Sequence, residues 1–314
     1  MSKFLKKLSK GYLSKAVYLE EGGMILVKGN SDKCREPWSE VIASRYYKKL
    51  NNPTVEYTIG KIEDYPEVVN FNNFKHVSKC AILDIPLYQF YDTCVGMGIK
   101  GDDYLKNYNK LELSSTHLIK MMLADAVIGN KDRHVNNFDI TIKDKILVNA
   151  PMLDFGASLL YDVNERDLKV ISGEKIGSDS CKPLKNTHKE QIRLLMKRYK
   201  RRLYFCCSET VIDELLLECE DIFALMTPKR AEAIKAYIRR RHEVYVKPYS
   251  IDIPCKEVVI KDKEKEYELL ANLLYNQKAV NKGLYLEFTS KGSKESILYH
   301  LEELRRSVLV KGVG

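Results

Sequence analysis

The chain has 314 residues, 45% hydrophobic and 30% charged, with a formal net charge of +9. That composition excludes a disordered or fibrous protein, and no apolar run reaches the ~18 residues a membrane helix needs. The length suffices for two lobes or for one large domain with a small appendage.

The opening stretch, MSKFLKKLSKGYLSK, is basic and lacks the apolar core of a secretory signal. Eight cysteines show no CxxC pair, which argues against a zinc site or a disulfide framework. Scattered free thiols suit a reducing compartment, so a cytoplasmic location without membrane contact is expected. KAVYLEE (15–21) and MILVKG (24–29) are short, partly β-branched runs, predicted as a hairpin closed by Gly22 and Gly23. EPWSEVIASRYYKKL (36–50) sets Val41, Ile42, Tyr46 and Leu50 on one helical face, with Pro37 in the first turn. VEYTIGKIE (55–63) and FKHVSKCAIL (74–83) read as a strand pair.

From about residue 86 the pattern becomes helical. LSSTHLIKMMLADAVIG (113–129) is an apolar helix, capped by Ser114 or Ser115. THKEQIRLLMKRYKRR opens on a capping box, Thr187 with Glu190. Helices are predicted over 208–226 and 228–245, and the span from Gly156 to Pro183 has loop composition. A β-rich part followed by a helical part predicts an α+β, bilobal fold with a ligand cleft at the junction. The expected divisions are a β-rich lobe over 1–85, a helical lobe over 86–250 and a small module over 256–314.

The polar motifs fall at that junction. GNKDRHVNNF (129–138) presents Asp132 and Asn137 from one loop, and DFG follows at 154–156. Phosphoryl transfer from ATP needs oxygen ligands for Mg²⁺, a group that orients or deprotonates the acceptor, and a cation on the phosphates. The five-residue spacing from Asp132 to Asn137 is that of a base Asp and a metal-binding Asn in kinase catalytic loops. Asp154 supplies a second metal oxygen, and Gly156 is expected to let the backbone bend there. Lys28, ending a strand, is placed for the α/β-phosphates, with Glu40 on the next helix as its ion-pair partner. SKGYLS (9–14) sits where a phosphate cover belongs, with Gly11 and Ser14 as candidate contacts. Cys80 and Ile82, on the strand over 74–83, are further candidates for the nucleotide pocket.

NKDRHVNNF with MLDFG resembles the HipA-like serine/threonine kinases, whose catalytic loop reads N-x-D-R-H-x-x-N-F. REPWSEVIASRYYKKL (35–50) and CKPLKNTHKEQIRLL (181–195) also look like stretches of that family. The resemblance spans roughly residues 10 to 245. It implies ATP and Mg²⁺ as cofactors, Asp132 as catalytic base, Asn137 and Asp154 as metal ligands, and Lys28 on phosphate. Arg133 and His134 would brace the loop. It also implies a Ser/Thr hydroxyl of a protein as acceptor, self-phosphorylation at Ser14 or Ser9, and a toxin role with an antitoxin-like partner. Ser172, Ser178 and Ser180, in a segment placed like an activation loop, are further phosphorylation candidates. Phosphoinositide-type kinases share D-R-H-x-x-N with DFG, so a lipid or small-molecule acceptor stays open, as does a nucleotide-binding pseudokinase.

Two basic or helical features complete the reading. Residues 182–202 hold nine Lys/Arg against one acid, Glu190, a surface for nucleic acid or an acidic protein. Over 256–314 an amphipathic helix (266–277) and the pattern of SKESILYHLEELRRSVLVKGVG look like a winged helix-turn-helix. Eleven Lys/Arg against nine Asp/Glu there make DNA contact or protein docking the open alternatives.

Overall fold

The computed structural model describes residues 2–8, 13–31, 35–50, 52–100, 103–113, 115–143, 146–168, 180–199 and 209–248. The winged-helix prediction, Gly11, Ser9, Ser172 and Ser178 lie outside them.

The N-terminal part is a five-stranded antiparallel sheet in the order β1-β2-β3-β5-β4. Its strands are β1 (Lys3–Leu8), β2 (Lys15–Glu20), β3 (Gly23–Lys28), β4 (Tyr57–Lys61) and β5 (His76–Ala81). Glu20 pairs with Gly23, so the β2–β3 turn is Glu21-Gly22 and Gly23 begins the strand at φ 117°. That corrects the expected Gly22-Gly23 turn by one residue: only glycine opens a strand at so positive a φ without strain. β1 was not anticipated. Its residues are almost all exposed, so it lacks the alternation by which a half-buried strand is read, and its lysines suit an unpaired edge.

One sheet face buries Ala16, Tyr18, Val27 and Val77 against Tyr65 and Val68 in a small cluster. The other packs on α1 (Glu36–Lys49), whose Val41, Ile42, Tyr46 and Tyr47 are wholly buried. These α1 residues belong to one continuous core with the helical part. That part comprises α2 (Phe90–Gly96), α3 (Tyr104–Lys110), α4 (Ser115–Ile128), α5 (His188–Tyr199), α6 (Glu209–Glu218), α7 (Glu220–Phe223) and α8 (Pro228–Tyr245). α4 is its axis, packed against α5 and α8. The architecture is α+β, a β-rich N-terminal part followed by a helical one.

Two differences from the sequence reading concern short elements. The helix predicted over 208–226 is two, α6 and α7, separated at the buried Cys219. A three-stranded sheet, β6 (Tyr88–Gln89), β7 (Asp139–Lys143) and β8 (Ile146–Asn149), interrupts the helical region. Thr187 does cap α5, its Oγ accepting from the Glu190 N–H at 3.3 Å. Among the described residues no helix is long and apolar enough to cross a membrane.

His188, in the first turn of α5, is 1% exposed and its pKa is pushed down to about 3, chiefly by burial, with Arg241 adding repulsion. Folding therefore holds the imidazole neutral, while the unfolded chain takes up a proton below pH ~6.5. Stability should fall as pH drops from 6.5 toward 3, by about 2 kcal/mol between pH 7 and pH 5 from this residue. Chemical denaturation at the two pH values, compared with His188→Asn, checks it: the variant loses that part of the pH dependence.

Candidate active site

β3 ends on Lys28, which is 3% exposed and points its ammonium into the junction of sheet and helices. Its Nζ lies 2.7 Å from Glu40 Oε1 and 3.1 Å from Asp154 Oδ1, and donates to the Tyr57 hydroxyl at 3.1 Å. Burial works against this cation, but the charge of Glu40, with Tyr57 and Asp154, holds its pKa well above the lysine value. Glu40 is fully buried on α1, and its Oε2 accepts the Phe155 N–H at 2.8 Å. One carboxylate thus fixes both the lysine and the backbone of the DFG segment.

Asp154 is held ionised, its pKa lowered to about 2 by Lys28 above all, against the opposing effect of burial. Its φ is 63°, in the left-handed region that Asp tolerates better than most residues. The bend expected at Gly156 is therefore made by Asp154. Gly156 is needed for a different reason: a Cβ there would sit 3.0 Å from Glu36 Cβ on α1.

Gly129 ends α4 at φ 66°, where a Cβ would overlap the Tyr237 hydroxyl at 2.0 Å. The chain then turns into the polar loop around one acid the sequence reading gave no role, Asp125. Asp125 is 1% exposed near the end of α4. It accepts from Arg133 Nε at 2.8 Å and Nη2 at 3.2 Å, and from Asn130 Nδ2 at 3.0 Å; the Tyr47 hydroxyl is 2.9 Å away. Arg133 also donates to the carbonyl of Leu153 at 2.8 Å, joining the loop to the segment before Asp154. Asn130 Oδ1 accepts the Asp132 N–H at 3.0 Å. Every one of these contacts positions Asp132 without touching its carboxylate.

Asp132 itself is half-exposed, and its Oδ1 accepts from Lys182 Nζ at 3.0 Å. His134 Nε2 stands 3.9 Å from its other oxygen, beyond hydrogen-bond range. Asn137 is 7% exposed in a 3₁₀ turn (Val135–Asn137), with Nδ2 donating to the Asp132 carbonyl at 3.1 Å.

The remaining candidates fall less centrally. Ser14 Oγ accepts the Val69 N–H at 2.9 Å, and its carbonyl accepts from Gly29 N–H at 2.9 Å. Cys80 is buried on β5 opposite Tyr57, its thiol pushed up to about 11 chiefly by burial. Ile82, just past β5, is 39% exposed and hydrogen-bonded through its N–H to Met24.

Four residues of the site went unread in the sequence. Asp125 had a signal, an acid inside an otherwise apolar helix. Lys15 had another: with Glu20 opposite Gly23, the hairpin register places Lys15 opposite Lys28. Burial, then the charge of Lys28, lowers the Lys15 pKa, and Lys15 in turn helps keep Asp154 ionised. Tyr57 was within a predicted strand with no polar role attached. Lys182 had none, lying 50 residues from Asp132.

Oxygen donors Asp154 and Asn137 suit Mg²⁺, which takes one or two protein oxygens and fills its other positions with water and phosphate. Among the described residues no cluster of three His, Cys, Asp or Glu forms an all-protein metal cage. Asp154 and Asn137 each offer an oxygen of the kind Mg²⁺ takes.

No family model and no curated protein matches the chain. Among solved structures it is similar to the Helicobacter pylori proinflammatory kinase CtkA, at 15% identity, TM-score 0.57, over 79% of this chain and 94% of that one. It also aligns with HipA from the Shewanella oneidensis MR-1 HipA, HipB and operator DNA complex, at 12% identity and TM-score 0.42, over 78% of this chain and 66% of that one. The chain shares the fold of the CtkA kinase over most of its length.

Proposed function

We propose that the chain is a HipA-like kinase that transfers the γ-phosphoryl group of ATP, with Mg²⁺, to a Ser/Thr hydroxyl of a protein. The observation that carries this reading is the buried Lys28–Glu40 pair with the part-exposed Asp154, tied through Leu153 and Arg133 to a loop that holds a half-exposed Asp132. Nothing about a structural core calls for a fully buried lysine between two carboxylates; a phosphate-binding cation kept charged and aimed does.

In this reading Lys28 exchanges part of its contact with Asp154 for phosphate oxygens, and Glu40 keeps it in place. Mg²⁺, held by Asp154 and Asn137, would neutralise charge on the phosphate oxygens. Asp132 orients the acceptor hydroxyl and takes its proton as the oxygen bonds to the γ-phosphorus. The bond from that phosphorus to the bridging oxygen breaks, and ADP leaves with the electron pair. Lys182, on Asp132, brings a second cation to the side where the acceptor enters. The exposed Lys189, Arg193, Lys197 and Arg198 of α5 suit an acidic acceptor.

The test is incubation with γ-labelled ATP, alone and with a cell lysate, followed by identification of labelled proteins. Transfer to a protein hydroxyl is expected. Label appearing in lipid would replace the acceptor class, and nucleotide binding without any transfer would establish a pseudokinase. Asp154→Asn should weaken Mg-ATP binding by about tenfold or more while changing metal-free ATP binding less, measured by titration calorimetry with and without EDTA.

A further inference from the structure

The turn that carries Lys182 has a second face. It is closed on itself and locked onto α5. Ser180 bridges to Thr187, and the Cys181 N–H donates to the Asn186 carbonyl at 2.9 Å. Gln191 clamps both ends: its Nε2 donates to the buried Cys181 Sγ at 2.9 Å, and its Oε1 accepts the Leu184 N–H at 2.8 Å. Lys182 of this turn reaches Asp132. The next two residues, Pro183 and Leu184, with Tyr104 and Leu105 of α3 and Leu194 of α5, line a cavity of about 360 Å³. Lys185 of the turn and Arg198 of α5 line the same cavity and are exposed; Asp103 stands at the α3 wall.

We propose that this groove is the acceptor-binding subsite: it takes an aliphatic side chain of an extended protein segment whose carboxylates run along α5. The inference rests on the kinase reading above and names the acceptor that reading leaves open. Continuity is the first argument, since one rigid turn of consecutive residues touches the catalytic loop and lines the groove. Reach is the second. A lysine side chain and one residue step separate groove from base, a span that ~2–4 residues of extended chain cover at ~3.3–3.6 Å each. Charge is the third. Residues 182–198 carry six Lys/Arg against a single acid, Glu190, and Asp103 repels carboxylates from the opposite wall. An acidic segment is thereby drawn to one side of the groove and given one direction.

The experiment uses the full chain, Mg²⁺ with γ-labelled ATP, and a positional-scanning library of Ser-centred peptides. Selectivity ratios are read, so overall activity cancels. The expected pattern is Leu over Ala by at least about tenfold at one position two to four residues from Ser. Asp or Glu should be preferred at neighbouring positions by roughly two- to fivefold each. Lys185→Glu with Arg198→Glu should turn the acid preference into a base preference, and Leu184→Trp should erase the aliphatic one. Peptides phosphorylated without selection, a basic preference in the wild type, or ratios that the variants leave unchanged would each overturn the groove. So would self-phosphorylation with no peptide labelled. If neither ATP turnover nor any labelling occurs, the kinase reading itself fails, and the groove assignment with it.

Discussion

Asp125→Ala is expected to destabilise the protein by about 3–5 kcal/mol, because it strands the Arg133 guanidinium without its counter-ion in a fully buried site. The acid also accepts from Asn130 and meets the Tyr47 hydroxyl, so removing it undoes a network and not one bond. In a protein of this size such a loss lowers the melting temperature by roughly 6–20 °C. The informative companion is Asp125→Leu with Arg133→Met. Replacing both charges by apolar side chains of similar volume should recover most of the stability, since a buried pair gains little over well-packed carbon. Phosphoryl transfer should not recover with it, because the same network holds Asn130 against the Asp132 backbone and ties the loop to Leu153. Thermal unfolding and a transfer assay on the three proteins separate the two effects. A double variant as active as wild type would show that the network does not position Asp132.

Asp132→Asn is expected to lower phosphoryl transfer by about 10²–10⁴-fold, the range over which a positioned general base acts. Nucleotide affinity should change little, because the side chain is on the acceptor side, paired with Lys182 and in contact with neither Lys28 nor Asp154. The substitution is nearly isosteric, and half exposure spares it a folding cost. Single-turnover transfer and equilibrium Mg-ATP binding measure the two quantities. Equal loss in both would move Asp132 from the acceptor to the nucleotide.

Much of this was legible in the sequence, and the reasons differ by element. The β2–β3 hairpin, α1 and α8 were readable because apolar spacing and Gly/Pro punctuation agree there; α8 begins and ends where its pattern does. Lys28, Glu40 and Asp154, which the structure brings together, were singled out in the sequence by their types and order. β1 was not, since an exposed edge strand has no face to alternate. The β6–β8 sheet was not, since strands of two to five residues fall below the length at which a period declares itself. The α6–α7 break is made by neither Gly nor Pro, so no breaker announces it. Lys182 needed tertiary information: its meaning lies in a contact with Asp132 that no local pattern encodes.

Helix α1 has a consequence for how this molecule can move. It carries Glu40, and its buried face belongs to the core that runs through α4, α5 and α8. Its outer end is strapped to the helical part as well, by Arg45 to both carboxylate oxygens of Asp221 and by Lys49 to Glu214 and Glu218. The sheet that carries Lys28 has its own small cluster behind it. Glu40 is thus braced to the helical part, while Lys28 sits on a sheet whose inner face, through Tyr57 and Cys80, packs on that same core. A rocking of the sheet would be felt first as a change in the single 2.7 Å ion pair between them. Whatever bears on the outer sheet face has a short route to the buried Lys28 ammonium.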